Sequence, residues 1–217
     1  MLLWLARILL WLPLSIMHPT FIKGRKNLPK GKAVLACNHY SNWDIALYVL
    51  HTGKKVKILA KKELFKDKLF GGILKNFGGI PIEREGSDIN AIKLCMKALK
   101  DGKKLFVFPE GTRLKDESQV LGELKSGMTL IALKTKTPIV PIWIERKPKL
   151  FRKSVYHIGK PFELDQFYGV KLDDETLAKA NDIVRDKMLE LREEVLEKKN
   201  KKNKGKKWYL VFYFIDF

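Results

Sequence analysis

The chain has 217 residues, of which 46% are hydrophobic and 31% charged. That length supports one domain with a core of its own, and that charge content argues against a polytopic membrane protein. The formal net charge of +19, from 43 Lys and Arg against 24 Asp and Glu, predicts anionic partners: phospholipid headgroups, nucleic acid or acidic carrier proteins.

Residues 1–17, MLLWLARILLWLPLSIM, are apolar except for Arg7 and Ser15. As a helix they would reach about 26 Å, short of the roughly 30 Å of a bilayer's hydrocarbon core. They lack the basic start and small-residue cleavage site of a signal peptide. The pattern fits a helix that dips into one leaflet, with Trp4 and Trp11 at the interface; the alternative is a buried core helix.

Short apolar runs follow. Residues 33–37, 56–60, 79–82, 105–108, 138–144 and 155–158 read as strands. Ser87 is placed to cap a helix carrying Ile89, Ile92, Met96 and Leu99 on one face, with Gly102 as its stop. Residues 128–134 read as a further helix. The clearest helix spans 173–197, where Leu177, Ala180, Val184, Met188, Leu191 and Val195 recur at spacings of three and four. Asp173, Asp174 and Glu175 in its first turn suit the helix dipole.

Strands alternating with helices predict an α/β fold, a single sandwich domain around a mixed, largely parallel sheet. The division expected is a membrane-associating helix over 1–20, the α/β domain over 21–197, and a tail over 198–217. That tail holds seven lysines between 198 and 207, then eight apolar residues from Trp208 to Ile215. Such a run is either a solvated face or a dock for an anionic bilayer. Cys37 and Cys95 are the only cysteines, which predicts a reducing compartment and no disulfide framework.

Two loops carry candidate chemistry. Asn38-His39-Tyr40-Ser41-Asn42-Trp43-Asp44 contains His-x4-Asp, directly after a buried strand and opening a helix at Ser41 or Asn42. With 4 His and 11 Asp in the chain, chance alone gives this spacing about 0.2 times. Its placement matters more, because open α/β sheets gather ligands at the carboxyl ends of strands. Asp44 can fold back onto one imidazole nitrogen and leave the other free to take a proton from an alcohol. The bland alternative is a helix-capping acid beside an unremarkable loop histidine. The second loop is Phe108-Pro109-Glu110-Gly111-Thr112-Arg113, where Arg113 offers a fork suited to phosphate and Gly111 allows close backbone approach. Its alternative is an ordinary surface turn. A third segment, Gly79-Ile80-Pro81-Ile82-Glu83-Arg84, ends a strand on a lone arginine.

Together these segments resemble the 1-acylglycerol-3-phosphate acyltransferases, a family of glycerolipid acyltransferases with four sequence blocks. His39-x4-Asp44 resembles the first, Gly79 to Arg84 the second, Phe108 to Arg113 the third letter for letter, and Val140-Pro141-Ile142 the fourth. Lys125-Ser126-Gly127 resembles the Lys-x-Gly after the third block. The string FPEGTR arises by chance about three times in a million. The resemblance covers residues 20–145. It departs at Leu114-Lys115, where Ser is often found, and at Leu124, where an aromatic is common. Both departures bear on the acceptor rather than the reaction.

The resemblance implies transfer of a fatty acyl group from acyl-CoA or an acyl-carrier protein to the sn-2 hydroxyl of 1-acylglycerol-3-phosphate. His39 would be the general base and Asp44 its support. Arg84, Glu110, Gly111, Thr112 and Arg113 would bind the acceptor, with Lys125 as a further phosphate ligand. Pro141 would shape the site wall, unless it is a strand-edge proline. No cofactor or metal is implied. There is no G-x-S-x-G elbow, and strand alternation favours Cys37 as core over nucleophile. The expected setting is the cytoplasmic face of the cell membrane, with monotopic or peripheral attachment to an anionic surface. Glycerol-3-phosphate or another lysophospholipid is the alternative acceptor. Two rivals lie outside the enzyme class. A nucleic-acid-binding module lacks any RNP, KH or zinc-finger pattern, and a catalytically silent tether would still bind membranes.

Overall fold

The computed structural model describes residues 12–52, 56–76, 78–83, 88–113 and 120–213, with backbone alone for 69, 70, 73, 76 and 202–213. Residues 12–17 are helical. The strands are β1 (Thr20–Lys23), β2 (Ala33–Cys37), β3 (Val56–Lys61), β4 (Gly79–Ile82), β5 (Lys104–Val107), β6 (Ile139–Ile144) and β7 (Ser154–Ile158). The helices are α1 (Trp43–Thr52), α2 (Lys68–Asn76), α3 (Ile89–Lys100), α4 (Ser126–Thr135) and α5 (Asp174–Tyr213).

The strands form one sheet in the order β1-β7-β6-β2-β5-β3-β4. Every pairing is parallel except β6 with β7, so the α/β fold with a mixed, largely parallel sheet is as expected. Ala33-Val34-Leu35-Ala36-Cys37 is an unbroken apolar run because β2 is central and covered on both faces. Alternation divides its side chains. Val34 and Ala36 join Leu105 and Val107 beneath α3, α4 and α5, through Leu99, Ile131 and Met188. Leu35 and Cys37 join Phe106, Ile142 and Tyr156 on the other face, beneath Leu47 and Tyr48 of α1.

Several boundaries differ from the sequence reading, each for a local reason. The cap of α3 is Asp88, one residue beyond Ser87. Its Oδ1 accepts the Ala91 N–H at 2.9 Å while Oδ2 accepts the Glu83 N–H at 2.9 Å, tying the end of β4 to the helix start. Ser87 lies outside the described residues. Gly102 does stop α3, at φ +74°. Its N–H donates to the Leu99 carbonyl and that of Lys103 to the Ala98 carbonyl. Strand β1 was not anticipated, because its four residues abut the apolar amino-terminal run. Neither was α2, whose Gly71-Gly72 pair weakens the helical signal. Gly71 is there because a Cβ would meet the Phe65 carbonyl oxygen at 2.6 Å. Helix α5 continues past 197 to Tyr213, since lysine is a good helix former and no proline interrupts it.

Candidate active site

The sheet presents the carboxyl end of β2 to two loops. Residues 38–42 join β2 to α1, and residues 108–113 follow the neighbouring β5. Asn38 anchors the first of them. Its Oδ1 accepts the Ile144 N–H at 2.8 Å, and its Nδ2 donates to the Ile144 carbonyl at 3.2 Å, pinning the loop to the end of β6. Asp44 then folds back from the first turn of α1. Its Oδ2 lies 3.0 Å from His39 Nδ1 and accepts the Tyr40 and Ser41 N–H groups at 2.7 Å each. Asp44 is fully buried. The Tyr156 hydroxyl donates to the Asp44 carbonyl at 2.9 Å and holds the turn from beneath.

A carboxylate only accepts hydrogen bonds, so Nδ1 of His39 carries the ring proton and Nε2 is the basic nitrogen. Nε2 makes no hydrogen bond among the described residues. The ring stacks on Phe108, with centroids 3.8 Å apart and planes 16° from parallel, which fixes its plane as Asp44 fixes its rotation.

Glu110 is almost fully buried at 4% exposure, and both its oxygens are engaged. Oε1 accepts the His39 N–H at 3.1 Å, and Oε2 accepts the Gly122 N–H at 2.8 Å. Burial raises its pKa, against the lowering effect of those two amides and of His39. Glu110 thus ties the histidine loop to residues 120–125. The latter are held from the far side by Arg185 of α5, which donates to the Gly122 carbonyl at 2.7 Å and the Leu121 carbonyl at 3.1 Å. Asn181, one turn earlier, donates to the Leu124 carbonyl at 3.3 Å and accepts the Thr129 hydroxyl.

A cavity of about 410 Å³ lies against His39. Phe108, Pro109, Gly111, Thr112 and Lys125 line it together with the histidine. Its other walls come from β3, β4, α3 and α4 and are mainly apolar, including Leu59, Ile82, Ile92, Met128 and Ile131, with Glu83, Asp88 and Ser126 as the polar exceptions. Gly111 has φ +69°, and a Cβ there would meet Lys125 Cγ at 3.3 Å. The turn closes through the Gly111 N–H to the Phe108 carbonyl, and the Lys125 N–H reaches the Pro109 carbonyl at 2.8 Å.

His39, Asp44, Glu110, Gly111, Thr112 and Lys125 therefore converge from distant parts of the sequence. Arg113 follows Thr112 on the exposed rim and is not among the cavity's lining residues. Arg84 lies outside the described residues. Pro141 departs from the expectation of a site wall. It sits in β6, and it lines a separate cleft between α5 and β7. Cys37 belongs to the core beneath α1; burial raises its thiol pKa well above the usual value, with Asp44 and Glu110 adding to the effect. The sequence reading gave no role to Asn38, Phe108, Gly122 or Arg185. Asn38 adjoins the His-x4-Asp motif and Phe108 opens the third block, whereas nothing in the sequence links Arg185 to His39. Among the described residues no group of three or more His, Cys, Asp or Glu side chains is arranged to hold a metal ion.

Residues 20–145 match the sequence model of the family described as Acyltransferase. The chain belongs to that family. It is 33% identical over 162 residues to a 1-acyl-sn-glycerol-3-phosphate acyltransferase of Bacillus subtilis, a match covering 71% of this chain and 79% of that one. It is 37% identical over 139 residues to a chloroplast 1-acyl-sn-glycerol-3-phosphate acyltransferase of Brassica napus. That match covers 61% of this chain and 40% of the relative, and a similar Arabidopsis thaliana protein is covered to 38%, so the chain spans well under half the length of these two plant relatives. Among solved structures, the 1-acyl-sn-glycerophosphate acyltransferase PlsC of Thermotoga maritima superposes with a TM-score of 0.61 at 25% identity. That superposition covers 80% of this acyltransferase-family chain and 71% of PlsC.

Proposed function

We propose that this acyltransferase-family chain moves a fatty acyl group from an acyl thioester, acyl-CoA or acyl-carrier protein, to the sn-2 hydroxyl of 1-acylglycerol-3-phosphate, forming phosphatidate. The observation that carries the reading is the buried His39–Asp44 pair on the wall of a largely apolar cavity. Relatives bearing that activity's name support it.

In this reading Nε2 of His39 takes the proton of the acceptor hydroxyl as its oxygen attacks the thioester carbonyl. The positive charge that develops on the imidazole is stabilised by Asp44. The tetrahedral intermediate collapses with cleavage of the carbon–sulfur bond, and the proton held on Nε2 passes to the departing thiolate. No covalent acyl-enzyme forms. The apolar walls beyond His39 hold an acyl chain. Arg113 and Lys125, with Arg84, hold the acceptor phosphate, and Gly111 and Thr112 offer backbone and hydroxyl contacts beside it. Glu110 is a positioning residue, because its two oxygens are committed to backbone amides. No cofactor takes part. The acceptor lives in a bilayer, so the protein works at an anionic membrane surface, on the cytoplasmic face, with residues 1–17 as its monotopic anchor.

Acyl transfer from a labelled thioester to lysophosphatidate in mixed micelles, with His39→Ala in parallel, tests this. Phosphatidate from the wild type alone is expected. Turnover by both proteins removes the base, and turnover only with glycerol-3-phosphate or another lysolipid changes the acceptor.

A further inference from the structure

The sheet order brings more than the two motif loops to the His39 end of the molecule. Strand β6 runs parallel to β2 and ends beside it, through the Asn38–Ile144 bonds. Strands β7 and β1 run the opposite way and so begin at that same end. The segment joining β6 to β7 therefore projects where the catalytic pair sits. It reads Arg146-Lys147-Pro148-Lys149-Leu150-Phe151-Arg152-Lys153: two large apolar residues flanked by five cations.

This loop is built to present its tip. Backbone pairing of Lys149 with Arg152 closes it, and the Arg152 guanidinium donates to the Lys147 carbonyl at 2.8 Å. Phe151 has φ +56°, which is uncommon for a bulky side chain. Its N–H donates to the Met17 carbonyl at 2.6 Å. Leu150 is 53% exposed and Phe151 68%, the most of any large apolar side chain among the described residues.

The tip continues into further exposed apolar surface. Met17 is the residue to which Phe151 bonds, and His18 beside it stacks on Trp43 of the His-x4-Asp segment, with ring centroids 5.6 Å apart. Met17 and Trp43 are both exposed, as are Leu12 and Ile16 on the helical turn before them. A monomeric soluble surface seldom carries an apolar patch of this kind ringed by one sign of charge. Aliphatic and aromatic side chains within a basic collar suit the boundary between acyl chains and anionic headgroups.

We propose that the β6–β7 loop is a membrane-insertion element: Leu150 and Phe151 enter an anionic bilayer while the exposed Arg146, Lys147, Lys149 and Lys153 engage lipid phosphates, holding the His39 end of the sheet against the lipid. This rests on the reading that the acceptor is a membrane lipid, and it adds a second attachment point to the apolar amino-terminal segment.

The test uses the full chain with Phe151→Cys labelled by an environment-sensitive fluorophore. Cys37 and Cys95 are fully buried, so the dye goes to position 151. Val170→Cys is the control. Residue 170 is half exposed and two residues after Tyr168, whose ring lies under Lys136 at the carboxyl end of α4, whereas the amino end of α4 lines the His39 cavity. With phosphatidylglycerol vesicles the dye at 151 should shift to the blue and brighten, while the dye at 170 should not change. Leu150→Asp/Phe151→Asp should weaken vesicle binding by about tenfold or more. It should leave turnover of a water-soluble, short-chain lysophosphatidate and the thermal midpoint unchanged. A dye at 151 that stays in water on vesicle-bound protein overturns the proposal, as does an equal response at 170, a response to an acidic protein but not to vesicles, or no vesicle binding at all. Loss of turnover by the wild type on the soluble acceptor would instead strike the catalytic reading and leave the insertion result standing.

Discussion

Asp44→Asn is the sharpest test of the catalytic geometry, because the fold can absorb it and the chemistry cannot. Asp44 places a single oxygen, Oδ2, on three donors, while Oδ1 makes no hydrogen bond. An asparagine can keep its carbonyl oxygen in the Oδ2 position and put its amide nitrogen in place of Oδ1. All three bonds then survive, weakened from charge-assisted to neutral, at a stability cost on the order of 1–3 kcal/mol. The reaction loses more. In the transition state of the proposed reaction the imidazole becomes positive beside a carboxylate 3.0 Å away. For unit charges roughly 4 Å apart at an effective dielectric near 20, that attraction is about 4 kcal/mol, or about a thousandfold in rate. Steady-state transfer in mixed micelles gives kcat, and a thermal melt gives the stability change. The expected result is kcat down by about three orders of magnitude with a folded protein, and His39→Ala/Asp44→Asn no worse than His39→Ala alone, since the two act as a unit. A variant that keeps kcat within about tenfold of wild type, or a double variant whose losses multiply, would refute the coupling of this pair.

Other perturbations probe the surroundings. Arg113→Ala should raise the KM for the acceptor far more than that for the thioester; equal changes would remove its phosphate role. Arg185→Met breaks two bonds to the 121–122 carbonyls that stand behind Glu110. It should lower kcat several-fold and reduce stability by about 1–3 kcal/mol, and an unchanged kcat would dissociate α5 from the site. Gly111→Ala places a Cβ at φ +69° within 3.3 Å of Lys125 Cγ and should raise the acceptor KM, with no change expected if the turn is merely a connection. His157 is the residue for pH. Burial lowers its pKa against the opposing effect of Glu145, 2.7 Å away. A histidine depressed in the folded state contributes stability above its unfolded value, about 6.5, and loses it as pH falls. Thermal midpoints from neutral to mildly acidic pH should fall more steeply for wild type than for His157→Gln, and parallel curves would contradict the assignment.

How much of this was legible in advance depended on whether a residue's role was local. The strands at 33–37 and 139–144 announced themselves because strands covered on both faces must be apolar throughout, and 79–82, a half-buried edge strand, showed as a short apolar run. The reach of Asp44 back to His39 followed from a five-residue spacing across a strand–loop–helix junction. Strand β1 and helix α2 were hidden, the first by the apolar segment before it and the second by its glycines. Arg185 and Asn181 fall outside the apolar stripe that marks residues 173–197 as a helix. Periodicity reports which face of α5 is apolar, but not that the 121–124 carbonyls lie within reach of its polar flank.

Glu110 marks the same limit inside a motif. Its sequence context allows both a ligand-binding carboxylate and a turn residue, and only three dimensions separate them. Both oxygens are occupied by the N–H groups of His39 and Gly122, 71 and 12 residues away in sequence. An acid so placed sets where His39 sits, and the loop that sets the acid is in turn held by α5. In the proposed reaction the alignment of Nε2 with the acceptor hydroxyl would therefore be governed by a chain of contacts running from His39 through Glu110 and Gly122 to Arg185. A misplacement of about 1 Å at the reacting atoms can cost on the order of a hundredfold in rate, and the smaller shift expected from residue 185 several-fold. Substitutions at 122 or 185 should accordingly depress kcat while leaving the chemistry of the His39–Asp44 pair intact.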